Sequence, residues 1–183
     1  MWIFGYGSLM WDCWEKEFQG TKHGKARLKG YHRAFNKKST RNWGTIDAPC
    51  PTLGLEKSSK VECVGLVFKF NNDQRHSVEA KLKKREGSSF QLLELEVELE
   101  NGQKVTALTP VNQTNKWTYI KDTELNPLID AAKSTRGENG SCFEYIKNLF
   151  IMCKRLEIQD KHIQKMWELI NKDAQNPEEE ELL

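Results

Sequence analysis

The sequence lacks a long apolar run, and no stretch of it is apolar enough to span a bilayer. The chain begins at Met1 with a short apolar segment, without the basic region and long apolar core that are typical of a secretory signal. A membrane-spanning helix and a secretory leader are therefore not expected. The simplest prediction for the location of the protein is the cytoplasm.

Cysteine is scarce. The chain has only five cysteines, an odd number, and they are widely scattered and form no C-x-x-C pair. This pattern favours reduced thiols over a disulfide framework or a zinc site. The four histidines show no spacing typical of metal ligands. We therefore predict neither a metal nor another cofactor. The cysteines are Cys13, Cys50, Cys63, Cys142 and Cys153.

Acidic residues are absent from residues 18–46, although the formal net charge of the whole chain is only +2. A basic stretch of this kind suits an anionic partner, either a carboxylate-rich small molecule or a nucleic acid. A basic face that meets only solvent explains the same residues. The cations of the stretch are Lys22, Lys25, Arg27, Lys29, Arg33, Lys37, Lys38 and Arg41.

The first half of the chain has strand patterns and the last third has helix patterns. Apolar residues alternate over residues 91–99, and Asn101-Gly102 predicts a type I′ hairpin turn after them. Residues 45–55 are rich in proline and glycine and predict a loop. Ser141 and Glu144 have the spacing of a helix capping box. We predict one α+β domain over residues 1–175, with a curved, barrel-like mixed β-sheet and flanking helices, and a flexible acidic tail over residues 176–183.

Two glycines and a serine follow a short apolar strand in the segment FGYGSL, residues 4–9. Glycine leaves backbone N–H groups uncovered, and successive N–H groups can bind an anion or a carbonyl oxygen. The segment has no Gly-Lys-Ser/Thr of a P-loop, no third glycine of a dinucleotide fingerprint and no G-x-S-x-G frame. A plain turn at the end of the strand is the alternative.

Residues 2–11, WIFGYGSLMW, resemble the N-terminal signature of the γ-glutamylcyclotransferases, and the YGSL form followed by Trp11 is similar to the ChaC branch. A second resemblance is the pair Arg85-Glu86, followed four residues later by an aromatic residue. Ser88-Ser89-Phe90 stands where that family commonly has Gly-Gly-Tyr. The resemblance implies the γ-glutamylcyclotransferase fold. It also implies Glu86 as the catalytic acid/base. It further implies a substrate-binding loop formed by Tyr6, Gly7, Ser8 and Leu9.

The activity implied by this resemblance is cyclisation of a γ-glutamyl peptide to 5-oxoproline with release of the remaining peptide. Glutathione is the first substrate to expect. The attacking amine is already tethered to the carbonyl, so one carboxylate can move both protons. The helix dipole should raise the pKa of Glu86, and the cations at residues 83–85 should lower it. The sequence leaves the net direction open, and a solvated surface glutamate is the alternative.

Two further residues are candidates for substrate binding. Arg41 can form a bidentate pair with a substrate carboxylate, although a structural arginine fits equally well. The resemblance suggests that Tyr145 reaches the pocket, whereas a buried core tyrosine is as simple. We predict a small-molecule γ-glutamyl substrate and neither a nucleic-acid nor a membrane partner. Two alternatives remain: a cyclotransferase for γ-glutamyl amines or amino acids, and a non-catalytic barrel that binds anions or nucleic acid. The oligomeric state is open.

Overall fold

A closed β-barrel forms the centre of the fold, and the computed structural model describes residues 1–121 and 125–171. The strands follow the order first-third-second-fourth-fifth around the barrel. The first strand closes it by pairing antiparallel with the third and parallel with the fifth. The strands are β1 (Trp2–Gly5), β2 (Thr21–Ser39), β3 (Cys50–Lys69), β4 (Phe90–Leu99) and β5 (Lys104–Asn112).

The long hairpin of β2 and β3 bends around the barrel because its pairing register shifts at three places. One shift lies between Lys29 and Tyr31, where Gly30 has a φ of +78° and forms a bulge. The loop predicted over residues 45–55 is too long. The strand β3 already begins at Cys50 and includes Pro51, which is paired with Lys38. Proline is tolerated there because it lies at the beginning of the strand.

In the part of the chain that the structure describes, one α-helix lies between the third and fourth barrel strands, and three α-helices follow the fifth strand. Gly87, with a φ of +73°, ends the first helix. The capping box of Ser141 and Glu144 is confirmed. The helices are α1 (Arg75–Glu86), α2 (Leu125–Ser134), α3 (Cys142–Arg155) and α4 (Lys161–Asn171), and the short strands β6 (Arg136–Gly137) and β7 (Gly140–Ser141) precede α3. Among the described residues, none of the helices is long and apolar enough to cross a membrane.

The turn between β4 and β5 differs from the predicted type I′ turn. Gly102 has a φ of +81°, whereas Asn101 does not have positive φ. A type I′ turn needs positive φ at both central residues, so this prediction is wrong in its turn type, although the hairpin itself is present. The predicted acidic tail, residues 176–183, lies outside the described residues.

A disulfide joins Cys50 at the beginning of β3 to Cys142 at the beginning of α3. Both cysteines are fully buried. The prediction of reduced thiols is therefore wrong for this pair, while Cys13, Cys63 and Cys153 are free. Sequence spacing did not reveal the bond because 92 residues separate its two ends. The disulfide attaches the helical part of the chain to the barrel.

Replacing both Cys50 and Cys142 by alanine is expected to lower the free energy of unfolding by about 2–4 kcal/mol, because the cross-link restricts the unfolded chain. Urea unfolding with and without a reductant checks this. The reductant should shift the midpoint of the wild type towards that of the variant and leave the variant unchanged. Equal midpoints for all four samples would contradict it.

Candidate active site

The segment Tyr6–Leu9 directly follows β1 and turns into a short 3-10 helix over Ser8–Met10. Neither Gly5 nor Gly7 has positive φ, so their role is spatial. A Cβ at Gly5 would lie 2.9 Å from Leu9 Cβ, and a Cβ at Gly7 would lie 3.8 Å from Tyr145 Oη. Gly5 therefore allows the turn to fold tightly on itself, and Gly7 leaves the backbone uncovered opposite Tyr145.

Buried polar contacts hold Tyr6 at the start of this segment. The Tyr6 hydroxyl donates a hydrogen bond of 2.8 Å to the Pro110 carbonyl. The Tyr6 carbonyl accepts one of 2.7 Å from Arg33 Nε. Arg33 is 1% exposed, and its guanidinium also donates to the Val64 carbonyl and pairs with Asp160 at 3.1 Å. This buried arginine links the loop after β1 to strand β3 and to the residue just before α4, and sequence reasoning did not identify it.

Six of the seven predicted site residues line one cleft of about 570 Å³, a volume that counts open solvent at its mouth. The six are Tyr6, Gly7, Ser8, Leu9, Glu86 and Tyr145. The cleft lies where the loop after β1 meets the end of α1 and the first turn of α3.

Glu86 is the last residue of α1, and its side chain is 17% exposed. Burial raises the pKa of its carboxyl group, and this influence exceeds the lowering by Arg85 and Lys37. The net direction that the sequence left open is therefore upward. A raised pKa favours a carboxyl group that can both accept and return a proton near neutral pH.

Arg85 connects Glu86 to the loop after β1. Its Nη2 donates a hydrogen bond of 3.0 Å to Ser8 Oγ, and its Nε lies 3.8 Å from a Glu86 carboxylate oxygen. Its Nη1 forms a short ion pair with Asp12. Because Asp12 and Ser8 engage most of this guanidinium, Arg85 acts mainly as a link between the two sequence motifs.

Tyr145 lies on α3 and is 3% exposed. Its hydroxyl accepts a hydrogen bond of 3.1 Å from the Leu53 backbone N–H, and its ring contacts the rings of Trp11 and Trp43. Burial raises the pKa of the Tyr145 hydroxyl, and it does the same for Tyr6. Both phenols therefore remain protonated, and the hydroxyl of Tyr145 still has its proton to donate into the cleft.

Arg41 does not line the cleft. Its side chain is 78% exposed, and its Nε donates a hydrogen bond of 2.8 Å to Glu138. The structure thus supports the alternative of a structural arginine at this position. Sequence reasoning missed other residues that line the cleft. The signals available for some of them were a position in the basic stretch or a position next to one of the two motifs. They include Lys37, Asn42, Trp43, Arg85, Phe90 and Asn139.

The described residues contain no group of three or more His, Cys, Asp or Glu side chains that could hold a metal ion. Five cations of the basic stretch form ion pairs within the described part of the chain. These pairs are Lys25 with Glu100, Arg27 with Glu62, Lys29 with Glu98, Arg33 with Asp160 and Arg41 with Glu138.

A family model described as a ChaC-like protein matches residues 1–173. The chain belongs to the ChaC-like family. Gamma-glutamylcyclotransferase 2-3 of Arabidopsis thaliana is 27% identical over 172 residues, which cover 89% of this chain and 84% of the plant protein. The glutathione-specific gamma-glutamylcyclotransferase of Escherichia coli (strain K12) is 29% identical over 165 residues, which cover 87% of this chain and 68% of the bacterial protein.

The fold is also that of this family. The crystal structure of a gamma-glutamyl cyclotransferase specific to glutathione from yeast superposes with a TM-score of 0.82 at 18% identity, and the match covers 94% of this chain and 96% of the yeast chain. The predicted α+β class with a barrel-like sheet is confirmed.

A pH series isolates the effect of burying Glu86. Its pKa is higher in the folded than in the unfolded chain, so the folded protein loses stability as pH rises from the ordinary carboxyl range through the raised value. Glu86→Gln removes this loss. In urea titrations, we expect the difference in unfolding free energy, variant minus wild type, to increase from acidic to neutral pH. A decrease of this difference over the same range would mean that the pKa of Glu86 is lowered.

Proposed function

We propose that this protein is a γ-glutamylcyclotransferase that converts glutathione to 5-oxoproline and cysteinylglycine. The observation that carries the proposal is a partly buried Glu86 carboxyl with a raised pKa, in one cleft with the backbone of residues 6–9. The named relatives in Arabidopsis and Escherichia coli support the reaction class, and the bacterial relative supports glutathione.

The reaction needs no group from outside the substrate except proton carriers. The α-amine nitrogen attacks the γ-carbonyl carbon, a C–N bond forms, and the amide bond to cysteine breaks. Glu86 takes the proton that the attacking nitrogen loses and returns one to the leaving nitrogen. Backbone N–H groups of residues 7–9 and the Tyr145 hydroxyl are the donors we assign to the negative charge that develops on the carbonyl oxygen. Folding the substrate into a ring-closing conformer supplies much of the acceleration.

The second candidate substrate class consists of γ-glutamyl amines and amino acids, which share the glutamyl group and differ beyond it. A nucleic-acid-binding barrel has less support, because five cations of the basic stretch are engaged in ion pairs. We retain a single domain over residues 1–175 and a cytoplasmic location as predictions. The Cys50–Cys142 disulfide does not support that location, because disulfides are uncommon in the cytosol.

The test is the release of 5-oxoproline by the purified protein from glutathione, from γ-glutamyl amino acids and from γ-glutamyl amines at equal concentration. We expect the highest kcat/KM for glutathione. A higher value for an amine or amino acid substrate would reassign the substrate. No release from any member of the panel would overturn the proposed function.

A further inference from the structure

Lys37 is a cation inside the cleft to which the residue motifs assign no role. It lies on β2, lines the cleft together with Glu86, and places its Nζ 4.8 Å from the centre of the Phe90 ring. Burial lowers the pKa of its ammonium group, and the charge of Glu86 acts in the opposite direction. Lys37 and Glu86 are therefore oppositely charged neighbours in one partly desolvated space.

The two cations of the cleft differ in what they already bind. Arg85 is paired with Asp12 and hydrogen-bonded to Ser8. For Lys37, no carboxylate of the described residues lies within ion-pairing distance of Nζ, and the face of Phe90 is its side-chain contact. Withdrawing an ammonium group from water without an anionic partner is costly. A carboxylate that enters the cleft would supply the missing partner.

We propose that Lys37 Nζ binds a carboxylate of the γ-glutamyl substrate, an inference that rests on the proposed function. The substrate has an ammonium group and a carboxylate on the same α-carbon. Glu86 and Lys37 present the complementary pair of charges. With the amine at Glu86, the carboxylate nearest to Lys37 is the α-carboxylate. Glutathione has a second carboxylate on its glycine, and the experiment distinguishes the two.

This contact would do more than add affinity. If Lys37 binds the α-carboxylate while Glu86 binds the amine, both polar groups on the α-carbon are held. The amine nitrogen is then directed at the γ-carbonyl. Phe90 supports the position of Nζ through its ring face, an interaction that tolerates a positive charge in a partly dry site. Lys37 would then select substrates with a free α-carboxylate and leave proton transfer to Glu86.

The test combines Lys37→Met with three substrates: glutathione, 4-aminobutyryl-cysteinylglycine, which lacks the α-carboxylate, and γ-glutamyl-cysteinylglycinamide, which lacks the glycine carboxylate. A charge-assisted contact predicts a loss of kcat/KM on glutathione of about 10- to 100-fold. We expect the same loss on the glycinamide and almost none on the aminobutyryl peptide. Loss on the aminobutyryl peptide but not on the glycinamide would keep the carboxylate site and assign it to glycine. Equal loss on all three substrates, or no loss, would overturn the proposal.

A matched control and a binding measurement separate this inference from the proposed function. Lys57→Met removes an exposed lysine from the neighbouring strand β3 and should leave all three kcat/KM values unchanged. By calorimetry, the wild type should bind 5-oxoproline more tightly than 2-pyrrolidone, the same ring without a carboxylate, and Lys37→Met should lose this preference. A wild type that turns over glutathione while Lys37→Met keeps the preference would overturn the carboxylate site alone. A wild type that releases no 5-oxoproline would overturn the proposed function.

Discussion

Glu86→Gln is expected to lower kcat for 5-oxoproline release from glutathione by about 10²- to 10⁴-fold, the range typical of a lost general acid/base. Glutamine keeps the shape of the side chain but can neither accept the proton of the attacking amine nor return one to the leaving nitrogen. KM should change less than kcat, because the amide still occupies the same place in the cleft and loses only the charge that faces the substrate ammonium group. Steady-state kinetics with quantified 5-oxoproline provides the measurement.

Glu15→Gln is the matched control for this result. Glu15 is a buried glutamate, at 4% exposure, but it lies on a short 3-10 helix outside the cleft. Its substitution should leave kcat within about twofold of the wild type, since it touches no reacting group. If Glu86→Gln retained wild-type kcat, Glu86 would not be the proton carrier. If both variants lost activity equally, the loss would come from the fold.

Arg33→Met is expected to lower the free energy of unfolding by about 3–5 kcal/mol, because it leaves the partner charge buried without its counterion. The orphaned carboxylate is Asp160, whose side chain is 11% exposed. The Tyr6 and Val64 carbonyls lose their hydrogen-bond donor in the same step. Urea unfolding measured by fluorescence gives the comparison with the wild type.

Arg27→Met provides the contrast on the same strand. Arg27 is 60% exposed and pairs with Glu62 at 3.6 Å, so its loss should cost less than about 1 kcal/mol. Similar costs for the two arginines would show that the buried contacts of Arg33 contribute no more than a surface ion pair. That outcome would also remove the reason for regarding Arg33 as a support of the loop after β1.

The order of the strands and helices, and the two motifs that meet in the cleft, could be predicted from the sequence. The helix that ends at Gly87 and the alternating strand after it set the context of Glu86, and both could be read from local patterns. The closing of the barrel then brings residue 86 to the end of β1. Local patterns cannot give this juxtaposition, and the family resemblance supplied it.

The features that sequence reasoning missed depend on distant partners. Arg41 is held at the surface by Glu138, which lies 97 residues further along the chain. The two cysteines of the disulfide, Cys50 and Cys142, are similarly far apart, at 92 residues. Lys37 follows an irregularity in the pairing of β2 between Ala34 and Lys37, so counting alternate residues does not show which side it faces. The direction of the Glu86 pKa depends on burial, which only the folded chain reveals.

The most direct measurement is the reaction of the purified protein with glutathione in H₂¹⁸O, with the products identified by mass spectrometry. Ring closure by the tethered amine predicts 5-oxoproline and cysteinylglycine in equal amounts, with no ¹⁸O gained by the enzymatic step. Glutamate with one ¹⁸O atom in its γ-carboxylate, formed in place of 5-oxoproline, would mean that water is the nucleophile. That result would contradict a cyclotransferase.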